Sequence, residues 1–155
     1  SNDFIQTPVD VAAKIINAIN SDYTIQGDVL DPAKGGGAFF DQFPEGCTKH
    51  WCEVGKGADF FEWDKRVDWI VTNPPWSKVR PFFAHGMEVA NNVCYLLTVN
   101  HIWTKARLKD METAGFGIKH IYLIDTPPTW PASGFQLGAV YIQKAHVGDI
   151  AITRI

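Results

Sequence analysis

The sequence predicts an α/β fold with a mostly parallel central sheet, helices on both faces and an antiparallel edge towards the C-terminus. Three observations predict it. A short apolar run at residues 28–30 ends in Asp31-Pro32, and Gly35, Gly36 and Gly37 follow before the chain turns apolar again, which is the pattern of strand, glycine turn and helix. The run at residues 93–99 is apolar without alternation, as suits a central parallel strand buried on both faces. Residues 139–143 and 149–153 alternate or cluster as late strands.

Each element has a local reason. Thr7-Pro8-Val9-Asp10 reads as a helix start, with Thr7 as the cap, proline at the first helical position and an acid in the first turn. Ala12, Ile15, Ile16 and Ile19 then recur at helical spacing, leaving Lys14 and Asn17 outside. Residues 20–26 read as a loop, and Gly27 opens the first strand. Residues 38–43 allow only a short helix before Pro44 breaks it, and residues 49–54 form a second strand. Residues 68–72 are an apolar strand that ends in Asn73-Pro74-Pro75-Trp76. Residues 81–91 read as a helix with Phe82, Phe83, Met87 and Ala90 on one face. Residues 105–114 form another, ended by Gly115 and Gly117, before a strand at 119–124. Between that strand and the late ones lies the proline-rich loop 125–135, which carries Trp130 and Phe135. Stiff loops with aromatics at a strand edge often carry function; the competing reading is that both rings cover the end of the sheet. His101 and Trp103 fall at the same end of the sheet as the glycine turn, and no role is assigned to them.

Composition narrows the class. The 155 residues form one domain, 1–155, long enough for a proper core. With 46% hydrophobic residues and no apolar run of spanning length, a soluble globular protein without membrane association is expected. No signal peptide is visible, and a start at Ser-Asn suggests a processed or engineered end. Cys47, Cys52 and Cys94 are odd in number and unpatterned, consistent with a reducing cytoplasm. A zinc cluster of Cys47, His50 and Cys52 lacks an obvious fourth ligand, so no metal is expected. A net charge of −3 without a Lys/Arg run argues against a large electrostatic footprint on DNA. Lys78 and Arg80 could still meet a phosphate backbone beside Trp76, against the alternative of a solvated loop.

The chemistry concentrates in two places. Asn73 offers a side-chain carbonyl and Pro74 a backbone carbonyl, and the two prolines hold them rigidly without competing N–H donors. Two such acceptors can hold both hydrogens of a planar amine or amide, pull its nitrogen towards tetrahedral geometry and free the lone pair to attack. Trp76 supplies a flat face for a planar substrate, or else is ordinary packing after a proline-stiffened turn. Upstream, the glycines do not fit G-x-G-x-x-G, and Asp31 would repel a pyrophosphate. An acid there suits a ligand with an ammonium group and no phosphate, properties that S-adenosylmethionine combines with a sulfonium.

Taken together, these segments resemble the amino-methyltransferases, specifically the N6-adenine DNA methyltransferases, whose motifs read Asp-Pro-x-x-Gly-x-Gly and Asn-Pro-Pro-aromatic. Phe4-Ile5-Gln6-Thr7-Pro8 is similar to that family's Phe-x-Thr-Pro element, with one extra residue between Phe4 and Thr7. The motif order is that of the γ arrangement. The resemblance implies a Rossmann-like methyltransferase fold and S-adenosylmethionine as cofactor. Phe4, Thr7, Pro8, Asp31, Pro32, Gly35 and Gly37 would hold it, and Glu53 would receive its ribose hydroxyls unless it is a strand-end carboxylate in solvent. Asp59 would accept a hydrogen bond from its adenine amino group and Phe60 would pack on the ring. Asn73, Pro74, Pro75 and Trp76 would be catalytic, with Trp130 or Phe135 helping to hold an extruded base. Only residues 55–66 are available for a helix, a strand and another helix, so the sheet should be trimmed on the side of its second and third strands. The family usually carries a target-recognition domain, for which this chain has no room; that implies a specificity subunit, a homodimer or loose specificity. RNA adenine, a protein glutamine and a non-catalytic subunit role remain alternatives, although a silent subunit would have no reason to keep Asn73, Pro74 and Pro75.

Overall fold

Apolar side chains on both faces of the central strands demand cover on both sides, and three helices supply it. The computed structural model describes residues 5–155, so Phe4 lies outside the described residues. The strands are β1 (Asp28–Asp31), β2 (Thr48–Trp51), β3 (Val67–Thr72), β4 (Ala90–Thr98), β5 (Phe116–Ile124), β6 (Leu137–Lys144) and β7 (Ala151–Arg154). They form one seven-stranded sheet in the order β2-β1-β3-β4-β6-β5-β7. β2, β1, β3 and β4 are parallel neighbours, while β6 runs antiparallel between β4 and β5. The helices are α1 (Val9–Tyr23), α2 (Val79–Val89) and α3 (Lys105–Ala114).

Alternation along β4 divides the core. Val93, Tyr95 and Leu97 face α2 and α3, packing with Phe82, Phe83 and Met111. Cys94 and Leu96 face the opposite way, with Ile15, Ile16 and Ile19 of α1. The apolar run at 93–99 is therefore buried on both faces, as its lack of alternation predicts.

Where the elements differ from expectation, the reason is local. α1 continues through residues 20–23, because Asn20 lies inside the helix and its Oδ1 accepts the Ile25 N–H at 2.8 Å just beyond the end. Thr7 does not cap this helix: Pro8 occupies the cap position and no side chain bonds the first turn. Residues 38–43 supply only a 3-10 turn, Phe40–Gln42. β4 takes over at Ala90, so the helix expected to reach 91 stops at Val89. Gly115 ends α3 in the left-handed conformation, whereas Gly117 lies within β5. β7 pairs parallel with β5, which leaves β6 as the antiparallel strand.

The trimmed edge is present. β2 is the outermost strand on its side, and residues 55–66 form short turns where a helix, a strand and another helix would otherwise be. At the other edge α1 is tied across the sheet: Tyr23 Oη lies 2.7 Å from His120 Nδ1, His120 Nε2 lies 2.8 Å from Thr153 Oγ1, and the Tyr122 hydroxyl donates to Asp22 at 2.7 Å. No helix among the described residues is long and apolar enough to cross a membrane.

α2 sits on β4 at Gly86, where an added Cβ would lie 2.8 Å from Tyr95 Oη. That fully buried hydroxyl donates to Phe82 O at 2.7 Å. Gly86→Ala is therefore expected to destabilise the fold by roughly 1–3 kcal/mol, since overpacking outweighs the better helix propensity of alanine. Urea unfolding measures this; a variant as stable as its parent would mean that α2 does not sit so close to β4.

Candidate active site

Parallel strands leave their carboxyl ends pointing the same way, and β1 and β3 end there in Asp31 and Thr72. Asp31 is only 1% exposed. Its Oδ1 accepts the Thr72 hydroxyl at 2.5 Å and the Ala33 N–H at 3.1 Å. Its Oδ2 is buried without a hydrogen-bond partner. Burial pushes this carboxyl up to about 7; the two hydrogen bonds pull it back, the Glu53 charge raises it further and Lys34 lowers it.

The glycine turn that follows has left-handed backbone at Gly35 (φ 54°) and Gly37 (φ 90°), which only glycine adopts at little cost. It is held from three sides. Gly35 N–H donates to Glu53 Oε2, Gly36 N–H to Gln6 Oε1 at 3.0 Å, and Lys34 N–H to Cys52 O at 3.0 Å. Beside it opens a cleft lined by Thr7, Pro32, Gly35, Glu53, Asp59, Phe60, Asn73, Pro75 and Lys78, among others. The fold thus gathers at one cleft residues that the sequence scatters from position 7 to position 78.

Asp59 accepts the Phe61 N–H at 2.9 Å and so caps the 3-10 turn Phe60–Glu62. Phe60 is 1% exposed, with Phe82 and the edge of His85 packed against it. The larger exposed apolar faces here belong to Val54 and Phe61, which sequence reasoning did not single out.

Asn73 is held at both ends of its amide. Its Nδ2 donates to Thr7 Oγ1 at 3.2 Å and approaches Ile5 O at 3.5 Å. Its Oδ1 accepts the Trp76 indole N–H at 3.1 Å, a donor shared with Leu96 O at 3.2 Å. One acceptor position on Oδ1 is thereby left over. Thr7, displaced from its expected capping role, instead orients this amide.

Trp76 is half-buried and meets Trp130 edge-on, centroids 5.8 Å apart. The Trp130 indole N–H donates to Gln6 O at 3.1 Å. Both rings, with Thr98, Thr126, Ser133 and Leu137, line a second hollow beside the Asn-Pro-Pro-Trp loop, and Ile5 borders both hollows. Pro74 is buried and is not among the residues lining either hollow. Phe135 and Arg80 are not among the residues lining either hollow: Phe135 is 57% exposed on the outer loop, and the Arg80 guanidinium is bound through two nitrogens to Asp110 at 2.9 and 3.1 Å. Gln6 was also missed. A signal for it existed, since one of Ile5 and Gln6 is the extra residue before Thr7, and Gln6 joins the glycine turn to Trp130. The residues considered for zinc have other partners: His50 Nε2 lies 2.8 Å from Asp28 Oδ1, and Cys47 Sγ donates to Ile25 O. His101 and Trp103 are exposed.

No protein-family model matches the chain, and no curated protein matches it in sequence. Solved structures do match in fold. A candidate RNA methyltransferase from Pyrococcus horikoshii aligns over 91% of this chain and 87% of its own, with TM-score 0.67 and 19% identity. A candidate class I S-adenosylmethionine-dependent methyltransferase from Listeria monocytogenes aligns over 100% of this chain and 67% of its own, with TM-score 0.73 and 12% identity. The methyltransferase subunit of a type I restriction-modification system from Streptococcus thermophilus aligns over 97% of this chain, with TM-score 0.66 and 13% identity. The chain spans just under half of that subunit, 47% of its length. Such identities speak to the fold alone, and together with the strand order they show that this chain has the Rossmann-like fold of the class I methyltransferases.

Proposed function

We propose that this chain transfers a methyl group from S-adenosylmethionine to the exocyclic N6 amine of adenine in DNA. The observation that carries the reading is that Asn73 lines the glycine-turn cleft while its amide is locked by Thr7 and by Trp76, which with Trp130 lines the second hollow. A cofactor in the first hollow and a planar base in the second would meet at that side chain.

The residues of the cleft fit the cofactor. Asp31 is not among the lining residues, but its Oδ2, buried without a partner, suits an ammonium group; Thr7, Pro32 and Gly35 line the cleft and would surround the same end of the ligand, while Pro8 and Gly37 adjoin them in sequence without lining it. Glu53 would receive the ribose hydroxyls. Asp59 would accept from the adenine amino group, with Phe60 and the more exposed Phe61 against the ring. When bound, the cofactor supplies an electrophilic methyl on its sulfonium. The protein's part is positioning and electrostatics. The unused acceptor position of Asn73 Oδ1 and the Pro74 carbonyl would take the two hydrogens of the target amine. Trp76 and Trp130 would stack on the flipped base, whose extrusion costs roughly a few kcal/mol. Lys78, on the rim of the cleft, would meet a phosphate.

Two considerations bear on substrate and partner. Likeness to a restriction-modification subunit supports DNA and a separate specificity partner or a second copy, while the better length match to a candidate RNA methyltransferase favours RNA adenine as the second reading. The three free cysteines suit a reducing cytoplasm. Transfer of tritiated methyl to unmethylated duplex DNA, single-stranded DNA, RNA and protein extract separates these. Label that digests to N6-methyldeoxyadenosine from DNA is expected; label confined to RNA or protein would replace the substrate, and none in any arm, with the cofactor bound, would show that this chain alone does not catalyse the transfer.

A further inference from the structure

The trimmed edge of the sheet carries a surface that meets the proposed cofactor cleft only at Lys34. Along β2 the side chains alternate, so Lys49 and Trp51 share one face while His50 turns to Asp28 and Trp63 on the other. On the Lys49 and Trp51 face lies Phe40, from the 3-10 turn after the glycine loop. The Lys34 ammonium stands 5.1 Å from the Phe40 ring and 4.9 Å from the Trp51 ring, and the Lys49 ammonium stands 5.7 Å from Phe40. Aromatic and cationic groups thus alternate across this face. Trp51 is 37% exposed, Lys49 is exposed and Phe40 is half-buried, because among the described residues no strand lies outside β2.

We propose that this face binds an unpaired stretch of a nucleic-acid strand. Stacking rings with interspersed ammonium groups meet both needs of such a ligand, since bases stack on aromatic faces without regard to sequence and lysines neutralise the phosphates between them. The Lys34 ammonium lies over both rings and the Lys49 ammonium over Phe40, so the cations are already placed among the rings on which bases would stack. Location supports the same ligand. Trp51 ends β2, only two strands from β3 and the Asn73 loop, which is about 10 Å at ordinary strand spacing. That is a step or two along a single strand, so nucleotides flanking a residue held at Asn73 would fall on this face. The inference extends the proposed function to strand binding outside the catalytic hollows, and it is separable from methyl transfer.

The test uses Trp51→Ala and Lys49→Glu, neither of which lines the cofactor cleft. Fluorescence anisotropy with labelled 20-nucleotide deoxythymidine and deoxyadenosine oligomers, over a salt series, reads binding directly. Trp51→Ala is expected to weaken binding roughly 10-fold or more, the loss of one stacked base. Lys49→Glu is expected to weaken it and to flatten the salt dependence by about one phosphate contact. Unchanged calorimetric binding of S-adenosylmethionine by both variants shows that the fold and the cofactor cleft are intact. Strand binding by the parent without methyl transfer would support this surface while removing the proposed activity. Methyl transfer to DNA with oligomer affinities equal in parent and variants would do the reverse. A parent that binds no single strand, or a Trp51→Ala effect confined to self-association through β2, overturns the inference.

Discussion

Replacing Asn73 by alanine is expected to reduce methyl transfer by about 10²–10³-fold or more, the loss typical when one preorganised polar group at a reacting centre is removed. The side chain lines the first hollow and is bonded to Trp76, which lines the second; alanine removes its carbonyl, and the Trp76 indole N–H would simply fall back on Leu96 O. Cofactor binding should change little. The variant loses the bond from Nδ2 to Thr7 Oγ1, one neutral hydrogen bond, which sets a ceiling of about tenfold in affinity. Single-turnover transfer with saturating cofactor, alongside calorimetric cofactor titration, separates the two effects. Equal losses of binding and transfer would show that Asn73 serves the cofactor cleft and that the amine is held elsewhere.

The second large effect concerns Asp31. Its carboxyl stands at about 7 in the fold against an ordinary value near 3.8, because burial penalises the charge more than Thr72 and Ala33 relieve it. The sign follows from linkage. Between about pH 4 and 7 the folded protein keeps a proton that the unfolded chain releases, so the stability tied to that proton is fully present below pH 4 and is lost as pH rises through 7. The cost above pH 7 is on the order of a few kcal/mol. Asp31→Asn keeps the Oδ1 acceptor for Thr72 and Ala33 and removes the charge. The cofactor-free variant is therefore expected to lack this slope and to be at least as stable as the parent above pH 7 in urea unfolding. Binding should move the opposite way. Only ionised Asp31 attracts an ammonium group, so the parent's affinity for S-adenosylmethionine should rise with pH through about 7, whereas the variant should bind weakly and without that dependence. A parent affinity flat from about pH 5.5 to 8.5, or full affinity in Asp31→Asn, would show that Asp31 does not face the ligand's ammonium group.

Much of the fold was legible because its signals are local. The unalternating run at 93–99 can only be buried on both faces, the spacing of Ala12, Ile15, Ile16 and Ile19 makes one apolar stripe, and too few residues between 55 and 66 force the missing strand. Boundaries were less legible. Asn20 and Thr7 have the polar character of loop and cap residues, yet Asn20 sits inside α1, where its side chain accepts the Ile25 N–H beyond the helix end, and Thr7 turns to Asn73, a partner distant in sequence. The same limit separated Lys78 from Arg80: both follow Trp76 closely, but α2 aims Arg80 at Asp110 while Lys78 stays at the cleft.

What the sequence by itself determined is the order of the elements, the glycine turn after an acid, and the rigid Asn73-Pro74-Pro75 acceptors, all of which follow from backbone geometry within a few residues. What only the tertiary structure decided is which groups meet. Gln6 bridges the glycine turn to Trp130, Thr7 and Trp76 lock the Asn73 amide, and Asp31 keeps a buried oxygen without a partner. Those contacts join residues 3 to 124 positions apart, and most arise from packing against a common sheet, for which no local pattern in the chain is a sufficient cause.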